Sequence, residues 1–120
     1  MTKPFGDAQG KPVISFSDFV KLDFRVGKVI SAEKVQQADK LIRMKVDLGT
    51  DYGVRTIFAG VAGWYTPSQI KNKKFAFVAN LEPKKMFGEE SQGMMFAADV
   101  DGKAVLIPVN KNIPVGSVVR

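Results

Sequence analysis

The feature that most constrains the fold is the strict alternation in residues 41–49, LIRMKVDLG. Every second position is apolar, and the positions between them carry Arg43, Lys45 and Asp47. A period of two predicts a half-buried β-strand with its apolar side toward a core. Similar runs, rich in β-branched and aromatic residues, occupy 23–35, 54–60, 74–81 and 93–100. The chain is therefore predicted to be all-β, and its 120 residues suffice for one domain.

Helix signals are short. Ser15, with Asp18 three residues later, predicts a single capped turn over 15–21 whose Phe16 and Phe19 face inward. After the third strand, Thr66-Pro67 and Gln69 form a capping box that begins a second short helix. Near the end of the chain, Asp101-Gly102 predicts a tight hairpin into 104–109, and residues 117–119 are expected to add an edge strand.

The order of these elements indicates the architecture. Three strands, a short helix and two more strands, with a long first strand that Gly27 can bend, match an OB-fold five-stranded barrel with extra terminal elements. A β-sandwich is the alternative. Residues 1–12 hold two prolines and two glycines and are expected to be a flexible lead-in to a domain over 13–120.

Composition argues against catalysis and metal binding. The chain has no cysteine and no histidine, so thiolate metal ligands and the usual general base are missing. We therefore expect a protein that is not an enzyme and holds no metal or cofactor. No apolar run approaches the ~18 residues of a membrane span, and nothing near the start of the sequence has the apolar core of a signal peptide. A cytoplasmic protein is expected.

The charge pattern favours a nucleic-acid partner. The net charge is +6, and OB-folds bind oligonucleotides on strands 2 and 3, between the 1–2 and 4–5 loops. Several cations fall on these predicted elements, although an exposed strand face is usually charged in any protein. They are Lys40, Arg43, Lys45, Arg55, Lys84 and Lys85.

The predicted 4–5 loop, residues 82–92, is much longer than a plain hairpin requires. Met86 and Met94 are candidates for stacking or wedging against a splayed base, as is the neighbouring Phe87. Ser91 can donate to a phosphate or close its own turn. Asn80 interrupts an apolar strand and either braces the loop or reaches the ligand.

Four segments resemble the tRNA-binding domain shared by several aminoacyl-tRNA synthetase systems: residues 23–29, 38–41, 79–98 and 113–119. The pattern N-L-x-P-x-K/R-x-x-G-x-x-S-x-G-M is long and specific, and the resemblance covers about residues 14–119. It implies an OB-fold homodimer that binds tRNA by shape at its outer corner and assists a methionyl-tRNA synthetase without chemistry of its own. The matching positions are Arg25, Lys40, Asn80, Lys84, Lys85, Met86, Ser91, Gly93 and Met94.

Other functions stay open at this point. A CsaA-type export chaperone is similar in barrel and dimer, but the Ser91-Gln92-Gly93-Met94 return favours tRNA. A non-specific single-strand binder would carry more aromatics on strands 2 and 3. Between a synthetase appendix and a free-standing protein, the free-standing form is expected. Residues 104–109 and 117–119 are candidates for part of the dimer contact.

Overall fold

The structure, a computed structural model, describes residues 10–120. Strands dominate it, and the two helices have a single turn each, so the predicted all-β class with a short helix between strands 3 and 4 is confirmed. Within the described part of the chain, no helix is long and apolar enough to cross a membrane. The elements are α1 (Phe16–Phe19), β1 (Phe24–Val35), β2 (Ala38–Asp47), β3 (Val54–Ala59), α2 (Pro67–Ile70), β4 (Lys74–Val78), β5 (Lys84–Met86), β6 (Glu89–Ser91), β7 (Met94–Met95), β8 (Ala97–Val100), β9 (Lys103–Leu106) and β10 (Val118–Val119).

The main sheet runs β3-β2-β1-β4-β7 with antiparallel neighbours, and β10 adds to β1 as the predicted terminal edge. The sheet curls so that its two end strands, β3 and β7, come close together. The segment that leads from β6 into β7 then bonds β3. There the Gln92 amide N–H donates to the Thr56 carbonyl at 2.8 Å, and the Phe58 amide N–H donates to Ser91 Oγ at 3.1 Å. This curl encloses the hydrophobic core and leaves the outer face of β2 and β3 for other contacts.

The alternation in β2 behaves as predicted. The side chains of Ile42, Met44, Val46 and Leu48 are fully buried. Gly27 on β1 packs closely against this core, because a Cβ there would lie 2.7 Å from Val46 Cγ1. The register of β1 to β2 shifts further along, between Val29 and Ser31. That Gly27 bends the strand stays a prediction.

Both helix caps are confirmed. Ser15 Oγ accepts the Asp18 amide N–H, and Thr66 with Gln69 forms the capping box of α2. The inward direction predicted for the two phenylalanines of α1 was wrong, since Phe16 and Phe19 are 77% and 38% exposed. A single turn that lies outside the sheet has no core to reach. Its rings instead continue a row of aromatic contacts through Phe24 to Phe96, with centroids 5.6–6.3 Å apart.

The predicted strand over 93–100 is divided at Phe96. β7 pairs with β4 in the main sheet, whereas β8 pairs with β9 in a separate hairpin. The turn of that hairpin is Asp101-Gly102, as predicted, and both residues have positive φ, 51° and 83°. Two such residues suit the twist of a two-residue β-turn.

Candidate nucleic-acid interface

Most of the predicted long loop is a β-hairpin. β5 and β6 pair in register, Lys84 with Ser91, Lys85 with Glu90 and Met86 with Glu89. The turn between them is Phe87-Gly88, with φ of 49° and 82°, which fits the two-residue turn that joins twisted strands. We call residues 84–91 the cationic hairpin. The long insertion is thus an ordered projection beside the sheet.

Arg43 holds the cationic hairpin on the outer face of β2. Its Nε and Nη2 donate to the two carboxylate oxygens of Glu89 at 2.5 and 2.6 Å, and its Nη1 donates to Glu33 at 2.7 Å. A bidentate arginine–carboxylate pair fixes orientation as well as distance. The Arg43 guanidinium also lowers the pKa of Glu89 below its ordinary value. Arg43, predicted to contact tRNA, therefore bonds two carboxylates of its own chain.

Ser91 joins the base of the hairpin to β3. Its buried Oγ accepts the Phe58 amide N–H at 3.1 Å and lies 3.5 Å from the Gly93 carbonyl. Of the two roles that the sequence left open, the structure supports the closing of its own turn. Gly93 is required beside it, because its φ is 145° and a Cβ would lie 2.8 Å from the Val78 carbonyl oxygen. This packing explains the Ser-x-Gly spacing.

The two hairpin lysines differ in direction. Side chains alternate along a strand, so Lys84 and Met86 share the side of Ser91, which faces the sheet, while Lys85 lies on the opposite side with Glu90. Both lysines are exposed and Met86 is half-buried. Within residues 10–120, no ion pair joins either lysine to an acidic side chain. Both side chains are therefore accessible to solvent, although only Lys85 projects away from the sheet.

Three other predicted residues lie on different parts of the surface. Lys45 Nζ donates to Thr56 Oγ1 at 2.7 Å on the outer face that carries Arg43. Lys40 is exposed in a stretch of β2 where the register to β1 is irregular. Met94 is 44% exposed on β7, opposite Val78. The outer face thus gathers Arg43, Lys45 and the hairpin.

Arg55 does not belong to that face, and its predicted placement was wrong. The register sets Arg55 opposite the buried Val46, so its side chain lies on the inner side of the sheet. There it donates to the Tyr52 and Ala79 carbonyls at 3.3 and 3.4 Å, and its guanidinium lies 4.9 Å from the Tyr52 ring centroid. The apolar–polar alternation of β3 was too weak to show this direction.

Arg25 also lies over this ring, 5.3 Å from its centroid. Its Nε and Nη2 donate to Asp23 at 2.7 and 3.2 Å, and its Nη1 donates to Asp51 at 2.8 Å. Only 14% of the Arg25 side chain is exposed. We call Asp23, Arg25, Asp51, Tyr52 and Arg55 the Tyr52 cluster. In it, Arg25 bonds both aspartates, and Arg55 lies over the same tyrosine ring.

The Tyr52 cluster shifts two pKa values in opposite directions. Hydrogen bonds from Arg25 and then Tyr52 lower the pKa of Asp23, against the opposing effect of burial. The same carboxylate raises the pKa of Tyr52, whose hydroxyl donates to Asp23 Oδ2 at 2.5 Å. Both shifts indicate that the folded state favours one protonation state: a charged aspartate beside a neutral tyrosine.

Asn80 lies next to the Tyr52 cluster and braces the backbone. Its Oδ1 accepts the Asp23 amide N–H at 2.8 Å, and its Nδ2 donates to the Lys21 carbonyl at 2.7 Å. The predicted bracing alternative is therefore supported, but the braced segment is 21–23 and not the long loop. Both ends of the amide are occupied by this segment.

The sequence did not identify the partners that decide these roles. Glu33 and Glu89 pair with Arg43, and Asp23 with Tyr52 surrounds Arg25. The Glu89 and Tyr52 contacts join positions far apart in the chain, so a single sequence carries no local signal for them, whereas Asp23 lies only two residues from Arg25. Within the described residues, no group of acidic side chains could hold a metal ion.

Fold and site together define an OB-fold module with a cationic hairpin beside the sheet face that such folds use for nucleic acid. The model of the putative tRNA binding domain family matches residues 24–118. The chain belongs to this family.

Its relatives include methionyl enzymes. A methionine–tRNA ligase of Methanothrix thermoacetophila is 47% identical over 110 residues, which are 92% of this chain and 16% of that protein. The corresponding ligase of Pyrococcus horikoshii is 48% identical over 107 residues, covering 89% of this chain and 14% of that protein. The chain thus spans about a sixth of the length of these relatives.

Solved structures share the fold. A MetRS-related protein from Pyrococcus horikoshii has a TM-score of 0.86 at 43% identity, with 92% of this chain and 100% of that chain covered. The chaperone CsaA from Bacillus anthracis has a TM-score of 0.80 at 27% identity, with 91% and 100% covered. The relationship to proteins of the methionyl system is therefore stronger in sequence than the relationship to CsaA.

Proposed function

We propose that this chain is a non-catalytic tRNA-binding module of the cytoplasm that assists a methionyl-tRNA synthetase, in cis or as a separate subunit. It binds tRNA by shape, at the outer corner of the L. The family model and the methionine–tRNA ligase relatives support the tRNA part of this proposal. The absence of histidine and cysteine supports the non-catalytic part, because the common acid–base and nucleophilic residues are missing.

The observation that carries the proposal is the cationic hairpin. Lys84 and Lys85 are exposed on a projection that Arg43 and Ser91 fix to the outer face of β2 and β3. An ordered projection loses less conformational entropy on binding than a flexible loop would. Lys45 on the sheet and the exposed Lys40 extend the basic surface beyond the hairpin. Cations arranged in this way suit the phosphates of a folded RNA.

Recognition by shape follows from these side chains. Lysines contact phosphates as point charges and carry little information about base identity. Each phosphate neutralised releases counterions, so affinity for RNA falls as salt rises. We therefore expect binding to many tRNAs with similar affinity and a steep dependence on salt.

We further propose that the chain forms a homodimer through an apolar face of its surface, in contrast to the basic surface of the hairpin. A groove of about 340 Å³ there is lined almost entirely by apolar groups, including Phe19, Phe96, Ile107 and Val119. Ile107 is 52% exposed and Val119 is 39% exposed, which is costly for apolar groups in water. A dimer would also bring two hairpins to one RNA and raise apparent affinity.

The test of the tRNA proposal is a competition assay over a salt series. Labelled bulk tRNA is bound to the protein and challenged with unlabelled tRNA, single-stranded DNA or a denatured polypeptide. We expect tRNA to compete most strongly and affinity to fall steeply with salt. Equal competition by single-stranded DNA would indicate a general single-strand binder instead. Sedimentation at several protein concentrations tests the dimer in the same buffers.

A chaperone is the second candidate, and the apolar face favours it. The row Phe16, Phe19, Phe24 and Phe96 is partly exposed, and extended apolar peptides bind such surfaces. The structural similarity to the chaperone CsaA agrees with this candidate. Its expected result in the assay is competition by the denatured polypeptide that hardly depends on salt or on the hairpin lysines.

A further inference from the structure

We propose that the cleft between the tip of the cationic hairpin and the β1–β2 turn is a binding site for one unpaired nucleobase, with Phe87 as its stacking surface. The inference rests on the proposed function and deepens it. It assigns the RNA-binding surface a site for an exposed, unstacked base, in addition to its phosphate contacts.

The cleft has a volume of about 480 Å³, enough for a base and its sugar. Its lining includes Gln36 and Gln37, the two residues of the β1–β2 turn, and Phe87 at the tip of the hairpin. Phe58 and the Arg43–Glu89 pair also line it. Because Arg43 bonds both carboxylates of the lining, Glu33 and Glu89, the groups left to contact a ligand are the ring, the two amides and Lys34.

Phe87 is placed for this use at a conformational cost. Its φ is 49°, in the left-handed region that favours Gly, Asn and Asp, yet a bulky aromatic occupies the position. Its side chain is 52% exposed, so the core does not explain the choice. An aromatic ring held in a disfavoured backbone conformation and exposed to solvent indicates a contact outside the chain.

The other side chains of the cleft match a nucleotide. Amide groups such as those of Gln36 and Gln37 donate and accept hydrogen bonds, as the edge of an unpaired base requires. Lys34 also lines the cleft, and Lys84 and Lys85 share the hairpin with Phe87, so cations are available to the flanking phosphates. An apolar peptide would leave these polar groups unpaired, which argues against it as the occupant.

The first experiment compares substitutions at Phe87 in tRNA binding over a salt series. Stacking predicts that Phe87→Ala weakens binding roughly five- to 150-fold, the usual loss for one stacked base. Phe87→Tyr should keep most of the affinity, whereas Phe87→Leu should not, because it is apolar but has no ring. The slope of affinity against salt should stay as in the wild type, since no phosphate contact is removed. Equal binding by the wild type and the alanine variant would overturn the inference.

The second experiment places a reporter in the cleft. In a Trp64→Phe background, Phe87→Trp leaves one indole, whose fluorescence is quenched when a base stacks on it. We expect quenching by tRNA and by an unpaired RNA oligonucleotide, and none by a blunt, fully paired RNA duplex at low salt, once filter binding has verified that the duplex is bound. Equal quenching by the duplex would overturn the base site.

These results separate the inference from the proposed function. If wild-type protein binds tRNA while Phe87→Ala has no effect and the indole is not quenched, the base site is wrong and the tRNA module stands. If tRNA is not bound but the unpaired oligonucleotide quenches the indole, the base site stands and the tRNA proposal fails.

Discussion

The Tyr52 cluster and the cationic hairpin both carry cations that the sequence assigned to RNA, but the structure uses them differently. In the Tyr52 cluster, Arg25 bonds two aspartates, and Arg55 bonds two backbone carbonyls beside the same ring. On the hairpin, Lys84 and Lys85 are exposed and pair with no acid within residues 10–120. A cation that is already bonded must break those bonds before it can contact a phosphate.

The difference follows from the chemistry of the two side chains. The planar guanidinium of arginine has five donors in a fixed geometry, which suits it to join several partners inside a fold. The flexible ammonium of lysine is strongly hydrated and costs little to leave in water. We therefore expect the Tyr52 cluster to determine stability and the hairpin to determine RNA affinity.

The largest effect on RNA affinity is expected when the positive charges of the two hairpin lysines are removed. Lys84→Ala with Lys85→Ala should weaken tRNA binding roughly tenfold or more at ~100 mM salt and reduce the salt slope by about 1.4–1.8, as the loss of two phosphate contacts requires. Affinity is measured by filter binding over a salt series, with thermal unfolding in parallel. The melting temperature should hardly change, because both side chains are exposed.

The matched control is Lys71→Ala with Lys73→Ala. It removes the same charge from exposed positions after α2, away from the hairpin. An equal loss of affinity in the two double variants would mean that net charge, and not the hairpin, governs binding.

A substitution at Ser91 tests whether this hairpin residue stabilises the fold and does not contact RNA. Ser91→Ala leaves the buried Phe58 amide N–H without its acceptor, so we expect a loss of about 1–2 kcal/mol in the free energy of unfolding. Affinity for tRNA, measured well below the melting temperature, should stay unchanged. Ser117→Ala is the control, since the Ser117 hydroxyl bonds the Pro114 carbonyl at an exposed site. Normal stability with weakened tRNA binding would instead show that Ser91 contacts RNA.

Substitutions at Glu89 and Glu90 distinguish two roles for Arg43. This arginine bonds carboxylates of its own chain, as Arg25 does in the Tyr52 cluster, but it lies on the face that carries the hairpin. If Arg43 positions the hairpin, Glu89→Ala should weaken tRNA binding a few-fold, although it removes a negative charge near the RNA. If Glu89 merely masks a phosphate contact, the same change should strengthen binding. Glu90→Ala is the control, because Glu90 is exposed opposite Lys85 and bonds no arginine. We expect it to leave affinity equal or slightly raised.

Local patterns predicted the fold well and the use of each cation poorly. The alternation of β2, the two caps and the Asp101-Gly102 turn depend on neighbouring residues, and each is present as expected. The partners of Arg43, and the Asp51 and Tyr52 contacts of Arg25, depend instead on register and on segments brought together by the fold. Those contacts are fixed by tertiary packing, which one sequence does not display.

The smallest expected effect is the pH dependence of the Tyr52 cluster. The pKa of Asp23 is lowered in the folded state, so its bonds stabilise the protein above the unfolded value of about 4 and are lost as pH falls below it. The pKa of Tyr52 is raised, so its contribution is present below about pH 10 and is lost as pH rises through the higher folded value.

Asp23→Asn should therefore lower the melting temperature near pH 7 and flatten its dependence on pH at both ends. Thermal unfolding between about pH 3 and 11 measures this, with Asp101→Asn as the control, because asparagine suits the positive φ of that exposed turn. Affinity for tRNA at pH 7 should match the wild type. If Asp23→Asn instead changed the salt slope of tRNA binding, Arg25 would be in contact with RNA. The separation between a structural cluster and a binding hairpin would then fail, because cations of both regions would bind RNA.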